Sequence, residues 1–368
     1  MKKLSGDDLT VTFPHDGDIL CRHDGTIQDD RLLLEVRGAA HTGGSIRING
    51  VPADAADGWF CARVPLEEGR QIICVSIERD GAVVEENLQV TVNLQSRRRY
   101  RFSIDDNIEF LADIGKNPAA YESLFDHWYL AFWRDLHREF GTKVHINIYF
   151  QNDARDFNLT QFPDTFREEW QENSDWLHLS FHAVQDQPAR LYRNASYELM
   201  ATHYEMVAEQ IQRFAGPEVT GNVTTIHWAE CPREALRAIR DRGIDTFIAL
   251  PRRYGECTTG YYLDPETKAR LAYRDAWMDT DEGFTFVCCD CVVNSLPLDD
   301  ILPYIRRQAS DPHTGEMLEL LIHEQYFRKE LPIYQPDIFD KVRQSVQWVT
   351  EQGYEPVFWA DGFLGTPE

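Results

Sequence analysis

Two periodicities divide the chain. Up to about residue 95, apolar and polar positions alternate with period two. Leu32-Leu33-Leu34-Glu35-Val36, Ser45-Ile46-Arg47-Ile48 and Ile73-Cys74-Val75-Ser76-Ile77 read as strands, because successive side chains on a strand face opposite sides. Gly43-Gly44, Asn49-Gly50, Asp57-Gly58 and Asp80-Gly81 mark the turns between them. Short strands at this spacing, with no amphipathic helix among them, predict an all-β sandwich over 1–96. From Tyr100 the pattern changes to strands alternating with helices. Strands are expected at 99–104, 144–150, 176–182, 223–228, 246–250, 284–289 and 318–323, and Glu355 to Trp359 is a candidate for one more. Asn117-Pro118 reads as a helix start, Tyr121, Leu124, Phe125, Trp128, Phe132, Leu136 and Phe140 as its apolar face, and Gly141 as its stop. Thr202 with Glu205 reads as the capping box of a helix through Phe214. Seven or eight such units predict an α/β second domain over 97–368, a parallel (β/α) barrel.

Charge narrows the partners. The 368 residues carry 37 Lys+Arg against 61 Asp+Glu, a formal net charge of −24. That balance argues against nucleic acid, whose phosphates need a basic face, and against anionic membranes. Arg97-Arg98-Arg99 reads as a solvated linker. No apolar core of a signal peptide follows the first lysines, and no stretch of about 18 apolar residues predicts a membrane helix. Eight cysteines without a CxxC pair read as buried free thiols, which fits a reducing, cytoplasmic setting. Residues 44–81 resemble the small immunoglobulin-like domains of bacterial carbohydrate-active enzymes, which indicates fold rather than function.

Barrel sites form at the C-terminal ends of strands, and the polar residues there make a consistent set. Strand one ends in Ser103-Ile104-Asp105-Asp106 and strand three in His182. Strand four carries His227, strand six ends at Asp290, and strand seven ends in His323-Glu324. Adjacent aspartates repel unless a cation or a shared proton relieves them. Asp with two His is a common ligand set for zinc or another divalent ion with an open position.

The segment FSIDDN, 102–107, resembles the first motif of the polysaccharide deacetylase family, metal-dependent carbohydrate esterases. LLIHEQ, 320–325, resembles the family's last motif. The resemblance covers about 98–362 and implies Asp105 as general base, Asp106 as metal ligand, His323 as general acid and Asp290 as an orienting residue. Three positions depart from the family pattern: Leu179 follows His178, Thr225-Ile226-His227-Trp228 stands where an Arg-x-Pro motif belongs, and Asn107 replaces a glycine.

The expected second metal ligand is His182, at its strand end. His178 lies on the same strand roughly 13 Å away, so one ion cannot reach both at about 2 Å. His203 is the favoured third ligand, because the capping box puts it at the start of the following helix. His178 and Asp186 remain alternatives. His227, Trp228, Glu324 and Tyr326 are the candidate substrate contacts, and the aromatic stretch Arg252–Trp277 is a candidate lid or sugar platform, or a structural hairpin. The expected protein is a zinc-dependent hydrolase removing N- or O-acetyl groups from a carbohydrate. The alternatives are a metal-dependent glycosidase or amide hydrolase, or a non-catalytic carbohydrate-binding relative.

Overall fold

The computed structural model describes residues 9–40, 43–95, 97–250 and 259–358. It divides into two compact units. One comprises the described residues before Arg97 together with Ala276–Gly283; the other comprises Arg97–Asp275 and the described residues from Phe284 onward.

The first unit is a two-sheet sandwich. One sheet runs Leu9–Phe13, Arg31–Ala40, Trp59–Leu66, Asp54–Ala56, with Thr26–Gln28 on Arg31–Ala40. The other runs Ile19–Cys21, Ala82–Asn93, Gly69–Arg79, Ser45–Ile48, Val51–Pro52. Alternation drives the assembly: Leu34, Val36 and Val64 of one sheet meet Ile73, Val75 and Val90 of the other in one buried core. The expected turns form where the chain needs left-handed backbone. Asn49-Gly50, Asp57-Gly58 and Asp80-Gly81 each hold positive φ at both residues and close two-residue hairpins, the geometry that matches strand twist.

The second unit is mixed α/β with parallel strands. These are β1 (Arg99–Asn107), β2 (Val144–Tyr149), β3 (Leu177–Ala183), β4 (Val223–Thr224), β5 (Thr246–Ala249), β6 (Phe284–Cys288) and β7 (Met317–His323). Hydrogen bonding joins them as two sheets rather than one closed barrel: β3-β2-β1-β7, extended by Cys291–Val292, and β4-β5-β6. At one seam the strands touch through side chains, with Ser180 Oγ donating to Val223 O at 3.2 Å and Thr224 Oγ1 donating to Phe181 O.

β1, β2 and β3 are buried on both faces, and one face is polar. Ser103, His145 and His178 stand in register, and Asp105, Asn147, Tyr149, Ser180 and His182 continue the same alternation. The opposite face carries Phe102, Ile104, Ile146, Ile148, Leu179 and Phe181, all buried. The polar face contains a fully buried ion pair, Arg101 Nη1 to Glu319 Oε1 at 2.5 Å, with Ser103 Oγ on the same carboxylate at 2.8 Å.

Several element ends differ from expectation. Asn117 ends helix α1 (Glu109–Lys116) and starts, with Pro118 in its first turn, only a short 3-10 helix over Pro118–Ala120, not the long helix expected. Helix α2 (Trp128–Phe140) begins later, capped by His127 Nδ1, and Gly141 stops it at φ 71° as expected. Helix α3 (Tyr197–Phe214) begins at Ser196, whose side chain accepts from Leu199 N. Thr202 is therefore mid-helix and bonds back to Glu198 O at 2.9 Å. Of the basic run, Arg99 is not a solvated linker residue but a buried first residue of β1. Among the described residues, no helix is long and apolar enough to cross a membrane.

Candidate metal centre

The site begins with an irregularity at the end of β1. On a regular strand Asp105 and Asp106 would face opposite sides. The pairing of β1 with β2 slips between Ile104 and Asn107, and Asp106 adopts φ 62°. This bulge turns both carboxylates into one cavity of about 580 Å³, whose wall also includes His182, His227, Asp290 and His323. A bulge that re-aims a side chain beside a site is a recurrent device.

Asp106 is the hub. Its Oδ1 lies 2.9 Å from His182 Nε2 and 3.7 Å from His227 Nε2, and also accepts from the Tyr149 hydroxyl. Its Oδ2 accepts from Gln325 Nε2 at 2.9 Å. Asp106, His182 and His227 each offer a ligand atom within 4.8 Å of the other two. Burial alone would raise the Asp106 carboxyl, but the His182 hydrogen bond and the charges of His323, His182 and His227 hold it well below the usual carboxylate range.

His182 is oriented by its other nitrogen. Nδ1 lies 2.5 Å from the carbonyl of Thr225. A carbonyl only accepts, so Nδ1 carries a proton, and whenever the ring is neutral Nε2 turns its lone pair toward Asp106. Two acceptors 2.9 Å apart require a shared cation or proton. Burial pulls His182 down, and the charges of Asp105 and Asp106 outweigh it and raise its affinity for a proton. The backbone acceptor behind Nδ1 is the arrangement typical of metal-ligating histidines. The donors present thus fit a divalent ion.

His203 is not part of this group. It faces Tyr192, with Nδ1 3.2 Å from the hydroxyl, because α3 starts at Tyr197 and places it almost two turns into the helix. His227 takes its place in the cluster, instead of serving as a substrate contact. It can do so because the strand expected at 223–228 stops at Thr224 and a turn follows, with Trp228 at φ 67°. His178 stacks on Phe358, ring centroids 3.6 Å apart, and is likewise outside the group.

Asp105 and His323 are register partners on β1 and β7. Asp105 Oδ1 accepts from Asn147 Nδ2 at 2.6 Å. Burial raises its carboxyl, against the pull of His182, His323 and Asn147. His323 Nδ1 meets Asn294 Oδ1 at 2.9 Å, which leaves Nε2 for chemistry. Asp290 Oδ2 accepts from Glu319 N of β7 at 2.9 Å.

Glu324 is not a substrate contact. It is fully buried, and its carboxylate accepts from Ile108, Glu109 and Phe110 N at 2.9, 3.0 and 2.7 Å. Burial pushes it up to about 7. It ties the residue after His323 to the start of α1, just beyond the two aspartates.

Trp228 and Tyr326, the expected substrate contacts, line the cavity. Trp228 is 42% exposed, and the Arg190 guanidinium packs on it 4.8 Å from the ring centroid. Arg190 is bonded in turn to Glu230. Of the expected lid, residues 252–258 with Tyr254 lie outside the described residues; Trp359, the expected end of the last candidate strand, does too, and that strand is seen as Glu355–Pro356 pairing with the start of β1. Tyr261 is core, its hydroxyl donating to Ile248 O at 2.8 Å, and Trp277 belongs to the first unit, donating to Asp16 O at 2.9 Å. Seven described cysteines are free thiols; Cys231, Cys288, Cys289 and Cys291 are buried.

Sequence reasoning missed Asn147, Tyr149, Gln325 and Asn294. A signal for the first two was present: His145, Asn147 and Tyr149 alternate with Ile146 and Ile148 on a strand too apolar for a solvated face.

No protein-family model and no curated protein matches the sequence. Among solved structures, an endo-β-1,4-mannanase from Thermotoga petrophila matches with 13% identity over 23% of this chain and 19% of its own, at a TM-score of 0.19. A candidate β-galactosidase from Bacteroides fragilis has 14% identity over 23% of this chain and 12% of its own, at a TM-score of 0.16. A candidate α-galactosidase from Bacteroides fragilis has 8% identity over 93% of this chain and 78% of its own, at a TM-score of 0.26. The chain therefore spans under a fifth of the first two structures, and superpositions this weak carry no argument about function.

Proposed function

We propose that this chain is a divalent-metal-dependent hydrolase that removes acyl groups, N- or O-acetyl, from a carbohydrate. The observation that carries the reading is the convergence of Asp106, His182 and His227 on one point, beside a second aspartate that is not part of the group. The parallel strand order supports reading the second unit as a barrel interrupted at its seams, and the first unit as an immunoglobulin-like sandwich beside it in the chain.

Asp106, His182 and His227 would hold the ion, zinc by the choice of ligands. The chemistry such an ion supplies is Lewis acidity toward water and an acyl carbonyl. The chain's own residues do the rest. Asp105, buried and raised in proton affinity, accepts the proton of the attacking water. His323, held by Asn294 through Nδ1, gives a proton from Nε2 to the departing amine or alkoxide. Asp290 braces β7, the strand that presents His323. Trp228 and Tyr326 offer faces on which a sugar ring can stack.

The test is metal analysis combined with acetate release from acetylated chitooligosaccharides and acetylated xylan. The reading expects one ion per chain and acetate release that Asp105→Asn removes. A chain that binds no zinc, manganese or cobalt contradicts it. Glycoside cleavage is the rival on the same cavity, with Asp105 and Asp290 as the carboxylate pair, and new reducing ends without acetate would favour it.

A further inference from the structure

We infer that Asp186 is a fourth protein donor at this centre, making it a two-carboxylate, two-imidazole site with a formal charge of −2 matched to one divalent cation, which as a five-coordinate ion would keep a position for water. The inference rests on the metal reading above and goes beyond its three ligands.

Distances make the first argument. Neighbouring donors at about 2.0–2.2 Å from one ion stand roughly 3–3.5 Å apart. Asp186 Oδ1 lies 3.2 Å from His227 Nε2. That is closer to this spacing than the 3.7 Å from the same nitrogen to Asp106 Oδ1. His227 Nε2 therefore stands between two carboxylate oxygens. A single proton on it can serve only one of them, whereas one cation satisfies both and the ring as well. The other ring nitrogen, Nδ1, is buried with no hydrogen-bond partner among the described residues, so only Nε2 anchors His227 to polar neighbours.

Construction of the loop makes the second. β3 ends at Ala183, one residue after His182. Val184 is then fixed on both sides: its N–H donates to the Tyr192 hydroxyl at 3.0 Å, and its carbonyl accepts from Gln151 N at 3.0 Å. Gln187 Nε2 donates to Asp186 Oδ2 at 3.0 Å, which leaves Oδ1 turned to His227. The Asp186 side chain, 32% exposed at the cavity wall, reaches the group through His227 and stands outside the set of ligand atoms that lie within 4.8 Å of one another, so joining it requires a shift toward Asp106.

Asp186 could instead act from outside, accepting from His227 and orienting it. Such partners typically change metal affinity by about 10–100-fold without changing the ligand count. The experiment uses the full chain: zinc affinity by chelator competition, and the visible d–d spectrum of the cobalt(II) form. The variants are Asp186→Asn, Asp186→His and, for comparison, Asp106→Asn, each checked for folding by circular dichroism. The expected result is a loss of zinc affinity above about 100-fold in Asp186→Asn, with altered cobalt bands, and retention of most affinity in Asp186→His. Unchanged affinity in Asp186→Asn overturns the inference, and so does weaker affinity with an unchanged cobalt spectrum. If the wild-type chain binds neither ion, the inference falls together with the metal reading; if it binds and Asp186→Asn is unaffected, the inference alone falls.

Discussion

His182 presents Nε2 to Asp106 Oδ1 at 2.9 Å while the Thr225 carbonyl, 2.5 Å from Nδ1, fixes which nitrogen carries the proton. One backbone oxygen on the chain after β4 thus decides which nitrogen a side chain of β3 turns toward Asp106. His182→Ala removes that lone pair and leaves His227 as the one imidazole of the cluster beside Asp106. Zinc affinity should fall by more than about 100-fold, as read by chelator competition, while the far-ultraviolet circular dichroism stays unchanged.

Asp105 and Asp106 are neighbours in the chain with different partners. Asp105 bonds Asn147 and is absent from the ligand group. Asp105→Asn should therefore keep its metal and lose turnover by about 10²–10⁴-fold, the usual contribution of a positioned base. Metal stoichiometry and acetate release, measured on one preparation, check both halves. Metal loss in this variant would give Asp105 a ligand's role instead.

Trp228 holds left-handed backbone, φ 67°, a conformation that costs a bulky residue on the order of 1 kcal/mol or more. Such strain persists where a side chain is needed in one place. Trp228→Gly relieves the backbone and removes the ring that lines the cavity. KM for an acetylated oligosaccharide should rise by about tenfold, the scale of one lost stacking face at about 1.4 kcal/mol, while the melting temperature does not fall. Unchanged KM would mean that no sugar stacks there.

His145 is wholly buried on the polar face, both ring nitrogens without hydrogen-bond partners among the described residues. Burial, then Arg101 and His178, lower its proton affinity well below the ordinary 6.5. The sign follows from proton counting. Below 6.5 the unfolded chain takes up a proton on this histidine that the folded chain refuses, so stability falls as pH drops from there toward the folded value. The slope from this group is at most about 1.4 kcal/mol per pH unit. His145→Leu should flatten the dependence of urea midpoints between pH 6.5 and 5 relative to the wild type; an identical slope would contradict it.

Strand and turn patterns were readable in the chain because they depend on neighbours in sequence. Asn49-Gly50 needs nothing distant to close its hairpin, and Gly141 ends α2 by its own backbone freedom. The Asp106–His182–His227 cluster was only half readable. Asp106 and His182 stood out at strand ends, but the choice of His227 over His203 depended on where β4 stops and α3 starts. Both are boundaries set by tertiary contacts: Thr224 and Thr225 bond across to β3, and Ser196 outcompetes Thr202 as a cap. Glu324 was misread for the same reason, since the N–H groups that bind it are about 215 residues earlier in the chain.

The central claim is a metal-dependent acyl hydrolase, and acetate release from an acetylated oligosaccharide tests it most directly, followed by enzymatic acetate assay before chelation, after chelation and after zinc is restored. The account predicts acetate from the loaded chain, none after chelation, and recovery with one equivalent of zinc. Acetate release that is unaffected by chelation, or absent from the loaded chain on acetylated chitin and xylan oligomers alike, would contradict it.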